Sequence, residues 1–248
     1  MTDGAPGPLR PLRPALPAQP VAPAAPEPAR PEPLRPVLAI VPVKGLGSAK
    51  TRLSETLDAA DRRALVLAML ADVLMNLRRC SSIDRVVVVT DDREARHRAI
   101  AESAEVVPDD GATSHSQAAL RGIAAAAHPH DRVLLAPGDC PLITVEDLDE
   151  LLSVPRPPVV VVPDRHGTGT NALLLDPPDA IEPSFGPDSH RRHLETAAGL
   201  GVDAVSLVVP SLALDIDTAD DLATLRARFD SLRGGAPATR GVIAGIRG

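Results

Sequence analysis

The strongest constraint on the fold is a series of short runs that are apolar nearly from end to end, with longer amphipathic stretches between them. VLAIVPV (37–43), RVVVVTD (85–91), AEVVP (104–108), RVLLAPGD (132–139), PVVVVPD (158–164), NALLL (171–175) and AVSLVVP (204–210) recur along the chain. Most do not alternate apolar with polar residues. They fit strands covered on both faces, as in a parallel sheet sandwiched by helices. Between the first two runs, in DRRALVLAMLADVLMNLRR, Val66, Met69, Val73 and Leu77 recur every three or four residues and mark one face of a helix. HSQAALRGIAAAA (115–127) reads as an Ala-rich helix, and ITVEDLDELL (143–152) and DTADDLATLRARF (217–229) each carry a Thr followed by acids, the pattern of a capped helix start. The alternation predicts an α/β domain with a mostly parallel sheet between helical layers. In such sheets ligands bind beyond the carboxyl ends of the strands, so the chemistry is expected just after each apolar run.

Composition bounds the rest. Residues 1–36 hold 12 of the 27 prolines and almost no large apolar side chains. Such a stretch cannot bury enough surface to offset its ordering entropy, so a disordered Pro-rich tail is expected. SLRGGAPATRGVIAGIRG (231–248) reads as a flexible C-terminal tail, which leaves 37–230 as one domain. No run approaches the length of a membrane span, and the N-terminal segment lacks the apolar stretch of a signal peptide. Cys80 and Cys140 are too few for a disulfide framework and lie in no zinc-type cluster, which points to a reducing cytoplasm. A formal net charge of −7 argues against a general nucleic-acid binder. The absence of Trp and Tyr removes the stacking platforms of single-strand binders. Small anionic substrates stay open, because a local basic pocket outweighs a distant negative field.

Five segments carry chemistry. In VPVKGLGSAKTRL (41–53), Lys44, Lys50 and Arg52 accompany two glycines and no acid. Glycines after a strand let backbone approach a phosphate, and cations neutralise it. It is neither a Walker A loop nor GxGxxG, and by itself it is equally a flexible loop with solvated cations. In APGDCPL (136–142), Asp139 ends a hydrophobic strand, which suits either a magnesium ligand or a turn cap before Pro141. In ALDIDTADDL (213–222), Asp215 and Asp217 alternate across Ile216 and would face one side of an extended strand. Thr218 and Asp221 look like a capping pair for the next helix. HGTGTNALL (166–174) and SFGPDSHRRH (184–193) offer backbone N–H and hydroxyl donors for a second anionic substrate, or ordinary turns with solvated histidines.

These segments, in their order along the chain, resemble the CofC/FbiD family of guanylyltransferases, which make the activated intermediate for the deazaflavin coenzyme F(420). The resemblance covers about residues 37–230. It implies a nucleotide-diphospho-sugar transferase-like (GT-A type) three-layer α/β/α fold with a mixed, mostly parallel sheet. It implies transfer of GMP from GTP to phosphoenolpyruvate, with the product passing to a downstream transferase of the same pathway. Carried over position by position, Thr170, Gly186 and Ser189 would bind the acid, and Asp139, Asp215 and Asp217 would hold Mg2+. Lys44, Lys50 and Arg52 would contact the nucleotide phosphates, with Lys50 and Arg52 as the catalytic cations. One segment departs: TSHSQAAL (113–120) carries Gln117 where an Asn usually meets the purine. Gln offers the same acceptor and donor one carbon further out.

A phosphate monoester is largely ionised at neutral pH, so this chemistry needs no general base, and neither His190 nor His193 is given a proton-transfer role. Three other readings stay open. The acid could be 2-phospho-L-lactate or 3-phospho-D-glycerate. The chain could be a different nucleotidyltransferase of the same fold. It could also be a non-catalytic nucleotide-binding scaffold, in which the Pro-rich tail recruits partners.

Overall fold

A computed structural model describes residues 35–46, 50–129, 131–152, 156–231 and 234–246. In chain order the elements are β1 (Val37–Pro42), α1 (Ala59–Arg79), β2 (Arg85–Val89), α2 (Arg93–Ala101), β3 (Glu105–Val107), α3 (His115–Ala126) and β4 (Arg132–Leu135). There follow α4 (Val145–Leu152), β5 (Val159–Pro163), β6 (Thr170–Leu175), α5 (Ser189–Leu200), β7 (Ala204–Ser206), α6 (Ala219–Ser231) and α7 (Pro237–Gly245). Each apolar run of the sequence contributes one strand.

The strands form one sheet in the order β3-β2-β1-β4-β6-β5-β7. Neighbours are parallel except at β6, which runs antiparallel to both β4 and β5. Cover on both faces of the sheet explains why the runs lack alternation. On β1, Val37, Ala39 and Val41 join a core that includes Leu65, Met69 and Leu70 of α1. Leu38 and Ile40 join the opposite core, with Ala118 and Ala119 of α3. Both faces are dry, so both sets of positions must be apolar.

The Ala-rich composition of α3 has a packing reason. At Gly122 a Cβ would lie 2.6 Å from Ile40 Cγ2 and 2.7 Å from Val89 Cγ2, so only glycine lets the helix come this close to the sheet. Helix α1 buries more than the single face the periodicity marks: Leu65, Ala68, Leu70, Ala71 and Leu74 are buried as well. The sheet lies on one side of it, and α7 packs along it too.

The C-terminal segment differs from the flexible tail expected. Residues 237–245 form α7, which Asp72 of α1 anchors by accepting from the backbone N–H groups of Ala238 (3.0 Å) and Thr239 (2.8 Å). The Pro-rich stretch lies outside the described residues apart from Arg35, which pairs with Asp176, and Pro36. Cys80 and Cys140 are both free and buried. Among the described residues no helix is long and apolar enough to cross a membrane.

Candidate active site

Strand β1 delivers the basic segment to the carboxyl end of the sheet. Val43 continues the ladder by donating to Val89 O at 2.9 Å. Lys44 then turns its ammonium to the Thr113 carbonyl (2.9 Å), and Leu46 donates its N–H to Asp92 at 2.9 Å. Asp92 also caps α2 through the N–H groups of Glu94 and Ala95, so one carboxylate ties a helix start to this loop. Gly47, Ser48 and Ala49 lie outside the described residues. The chain resumes at Lys50, whose φ of 55° is left-handed, an uncommon conformation for a residue with a side chain. The 3-10 turn Thr51–Leu53 follows, pinned by the fully buried Leu53.

That backbone turn aims Lys50 inward. Its side chain is only 9% exposed, and its ammonium bridges Asp139 and Asp217, lying 2.5 Å from Asp217 Oδ1. Asp139 follows β4. The 215–217 segment is not a sheet strand, contrary to the extended-strand expectation. It is nevertheless joined to Asp139 by one backbone bond, Ile216 N–H to Asp139 O (3.3 Å). Ile216 is fully buried, which leaves Asp215 and Asp217 flanking it toward the cavity. Asn171, on β6, donates to Leu212 O (2.7 Å) and to Asp215 Oδ1 (3.4 Å), which fixes this segment from the other side. The capping expectation for α6 is met reciprocally. Thr218 N–H and hydroxyl donate to Asp221 Oδ2 at 2.7 and 2.8 Å, and Asp221 N–H donates back to Thr218 Oγ1 at 3.2 Å.

The electrostatics follow from this geometry. Burial alone would lower the pKa of Lys50, but the Asp139 and Asp217 carboxylates together outweigh it and hold the ammonium well above the usual lysine range. Burial likewise opposes ionisation of Asp139, yet the Lys50 charge keeps its carboxyl below the usual range. Asp215 has no such cation: burial and then the neighbouring Asp139 charge push its carboxyl upward. One ammonium thus pairs with two of the three acids, and Asp215 is left without a cation of its own.

A cavity of about 350 Å³ opens here. Its walls include Lys44, Lys50, Asp139, Thr170, Gly186, Asp215 and Asp217, so seven of the residues singled out from sequence meet in one place. Gly186 has φ +115°, a conformation that favours glycine. Three others do not line it. Arg52 is exposed on the 3-10 turn. Gln117 lines a separate cavity with Asp110, Gly111 and Arg121, and its Oε1 accepts from both the N–H and the hydroxyl of Thr113 at 2.8 Å. Ser189, in the first turn of α5, is buried, with no partner for its hydroxyl among the described residues. His115, Asn171 and Phe185, none of them expected from the sequence, also line the main cavity. Asn171 lies inside HGTGTNALL, and its signal is a polar residue opening an otherwise apolar run.

Among the described residues no group of three His, Cys, Asp or Glu side chains is arranged to hold a metal ion by itself. The donor chemistry nonetheless fits a hard divalent cation: the acids supply only oxygen, and they carry charge that Lys50 does not balance. Magnesium needs no all-protein cage, since one or two carboxylates with water and substrate phosphates suffice.

Residues 37–228 match the family described as guanylyl transferase CofC like. The chain is 47% identical over 213 residues to the phosphoenolpyruvate guanylyltransferase of Conexibacter woesei, covering 83% of this chain and 94% of that protein. It is 38% identical over 189 residues to the protein of the same name from Sphaerobacter thermophilus, covering 76% and 91%. A solved structure from Desulfovibrio desulfuricans G20, assigned as a nucleotide-diphospho-sugar transferase, superposes with a TM-score of 0.66 at 19% identity. It covers 84% of this chain and 94% of that one, which shows the fold.

Proposed function

The chain belongs to the CofC-like guanylyl transferases and is a nucleotidyltransferase, and on that premise we propose that it transfers GMP from GTP to phosphoenolpyruvate, releasing diphosphate. The product would be enolpyruvoyl-2-diphospho-5'-guanosine, the activated acid of coenzyme F(420) synthesis, passed on to a downstream transferase. The observation that carries the reading is the meeting of Lys44, Lys50, Asp139, Asp215 and Asp217 with Thr170 and Gly186 around one cavity.

A phosphate oxygen of phosphoenolpyruvate attacks the α-phosphorus of GTP. The bond to the bridging oxygen of the β-phosphate breaks, and diphosphate leaves with the electron pair. The obstacle is repulsion between two polyanions, so positioning and electrostatics dominate. Lys44 and Lys50 neutralise the triphosphate and the departing diphosphate, with Arg52 approaching from its exposed turn. Thr170 and Gly186 hold the three-carbon acid, and Ser189, which the family resemblance also assigns to it, backs them from the first turn of α5 through its N–H to the Gly186 carbonyl (3.1 Å). Gln117 offers its amide to the base. Asp139, Asp215 and Asp217 would hold Mg2+ together with substrate phosphates. Such an ion, when bound, withdraws charge from the phosphoryl oxygens. The nucleophile is already ionised, so no side chain need remove a proton.

The test is diphosphate release from GTP with each of three acids: phosphoenolpyruvate, 2-phospho-L-lactate and 3-phospho-D-glycerate. The reading expects phosphoenolpyruvate to give the highest kcat/KM, no release after chelation, and recovery on adding Mg2+. A higher kcat/KM with either other acid reassigns the substrate. Binding of GTP without turnover on any acid overturns the enzymatic reading.

A further inference from the structure

We infer that His193 is a positioning residue: its neutral imidazole fixes the orientation of the Thr170 hydroxyl, so that the hydroxyl donates its proton into the substrate cavity. The inference deepens the reading above and rests on it, since there Thr170 contacts the three-carbon acid.

Nε2 of His193 lies 2.8 Å from the backbone N of Ser184, and Nδ1 lies 3.0 Å from Thr170 Oγ1. A backbone N–H can only donate, so Nε2 is the bare, accepting nitrogen. In a neutral ring the proton then belongs to Nδ1. Nδ1–H must donate to Thr170 Oγ1, which uses one lone pair of the hydroxyl. The threonine proton cannot point back at a donor, so it points elsewhere. Thr170 opens β6 and lines the cavity, and a hydroxyl proton directed there meets an anionic oxygen.

The surroundings keep the ring neutral. His193 is fully buried. Burial first, then the Arg192 guanidinium and His190, push its pKa down to about 4, so the ring is neutral at pH 7. Phe185 holds the imidazole edge-on, with ring centroids 5.5 Å apart and planes at 77°. The N–H of Phe185 donates in turn to Ser116 Oγ on α3 at 2.8 Å. His193 therefore joins two walls of the cavity: the start of β6, and the loop that carries Gly186.

The experiment combines kinetics with one spectrum. Diphosphate release is followed with GTP saturating and phosphoenolpyruvate varied, and then the reverse, for Thr170→Val, His193→Phe, His193→Asn and the double variant Thr170→Val with His193→Phe. A lost hydrogen bond to a charged group predicts that Thr170→Val raises KM for phosphoenolpyruvate about 10-fold or more. His193→Phe should do the same while leaving KM for GTP unchanged. The double variant should be no worse than either single one, because both remove one donor. His193→Asn places an N–H where Nδ1–H stood and should recover most of the loss.

If Thr170→Val raises KM but His193→Phe does not, the positioning role falls and the pocket reading stands. Additive losses in the double variant also overturn the positioning role. If Thr170→Val leaves KM unchanged, the contact with the acid falls, and the inference with it. Nitrogen-15 NMR of the wild-type histidines needs no variant to fold. It should show His193 in the Nδ1–H tautomer, and the Nε2–H tautomer would overturn the inference by itself.

Discussion

Lys50 Nζ lies 2.5 Å from Asp217 Oδ1, although 167 residues separate the two in sequence. The same ammonium meets Asp139, so Lys50 ties the two acidic segments together where substrates are expected. Phosphates entering this cavity would compete for Lys50, and a divalent cation would take over its hold on the acids. Lys50→Ala should therefore lower turnover on the order of 10²-fold or more, as losing an electrostatic stabiliser does elsewhere, and Asp217→Asn should do likewise. Diphosphate release measures turnover, and thermal unfolding verifies that the variants fold. Wild-type turnover by either folded variant removes the role assigned to that residue.

The acid stability of the domain should carry the signature of His193. An unfolded histidine titrates near 6.5 and the folded one at about 4. Between these values the unfolded chain binds a proton that the native state refuses. The stability due to the neutral ring is fully present above pH 6.5, declines as pH falls, and is gone below about 4. Linkage sets the full loss at about 3 kcal/mol at most. Urea unfolding between pH 7 and 4 measures it. The same series on His193→Asn provides the baseline, because subtraction cancels the carboxylates common to both. Parallel curves would show that the folded histidine titrates normally.

Much of the architecture was legible because its cause is local. An apolar run bounded by breakers becomes a strand whether its partner is parallel or antiparallel, so VLAIVPV and NALLL were readable as strands. That NALLL becomes β6, antiparallel to both neighbours, was not readable, because direction depends on the path of the connections. The capping pair Thr218 and Asp221 was legible because its members are three residues apart. Helix α2 was not singled out: its buried positions are Ala95 and Ala99, too small and too few to mark a face. In the candidate site, a carboxylate at a strand end picked out Asp139 and the family resemblance supplied Thr170, whereas pairing did not show. Nothing local says that Lys50 reaches Asp217, that Gln117 spends its carbonyl on Thr113, or that His193 backs Thr170. Each of these contacts is fixed by how separate elements pack.

Gly122 gives a prediction that links the core to the cavity. A methyl group added there would meet Ile40 Cγ2 at 2.6 Å and Val89 Cγ2 at 2.7 Å, and β-branched side chains on a buried strand cannot swing aside. Overpacking costs about 1–3 kcal/mol, against a gain of roughly 1 kcal/mol in helix propensity for Ala over Gly. Gly122→Ala should therefore be destabilised by about 1 kcal/mol, seen as a lower denaturation midpoint. The helix must also shift outward, and it carries His115 and Ser116, which reach the cavity and the Phe185 loop. KM for phosphoenolpyruvate should rise with the loss of stability. A variant as stable as wild type would mean that α3 lies further from the sheet than these distances state.

The last helix owes its existence to a residue far upstream. Helix α7 has 9 residues, too short to persist alone in water, and none of its own side chains caps it. Asp72, 1% exposed in the middle of α1, supplies the cap through both carboxylate oxygens, and this is why GGAPATRGVIAGI reads as a loose end when taken by itself. Arg240 secures the other side by stacking over Phe229 at 4.1 Å and donating to the Phe229 carbonyl at 2.9 Å. Asp72→Ala leaves two helix N–H groups without their partner, which costs about 1–2 kcal/mol for a cap of this kind. The expected result is faster amide exchange at Ala238 and Thr239 and a modest fall in global stability. The kcat/KM of the folded enzyme should be kept, because no residue of α7 lines the cavity. Unchanged exchange at both amides would show that packing against α1 holds the helix without the carboxylate.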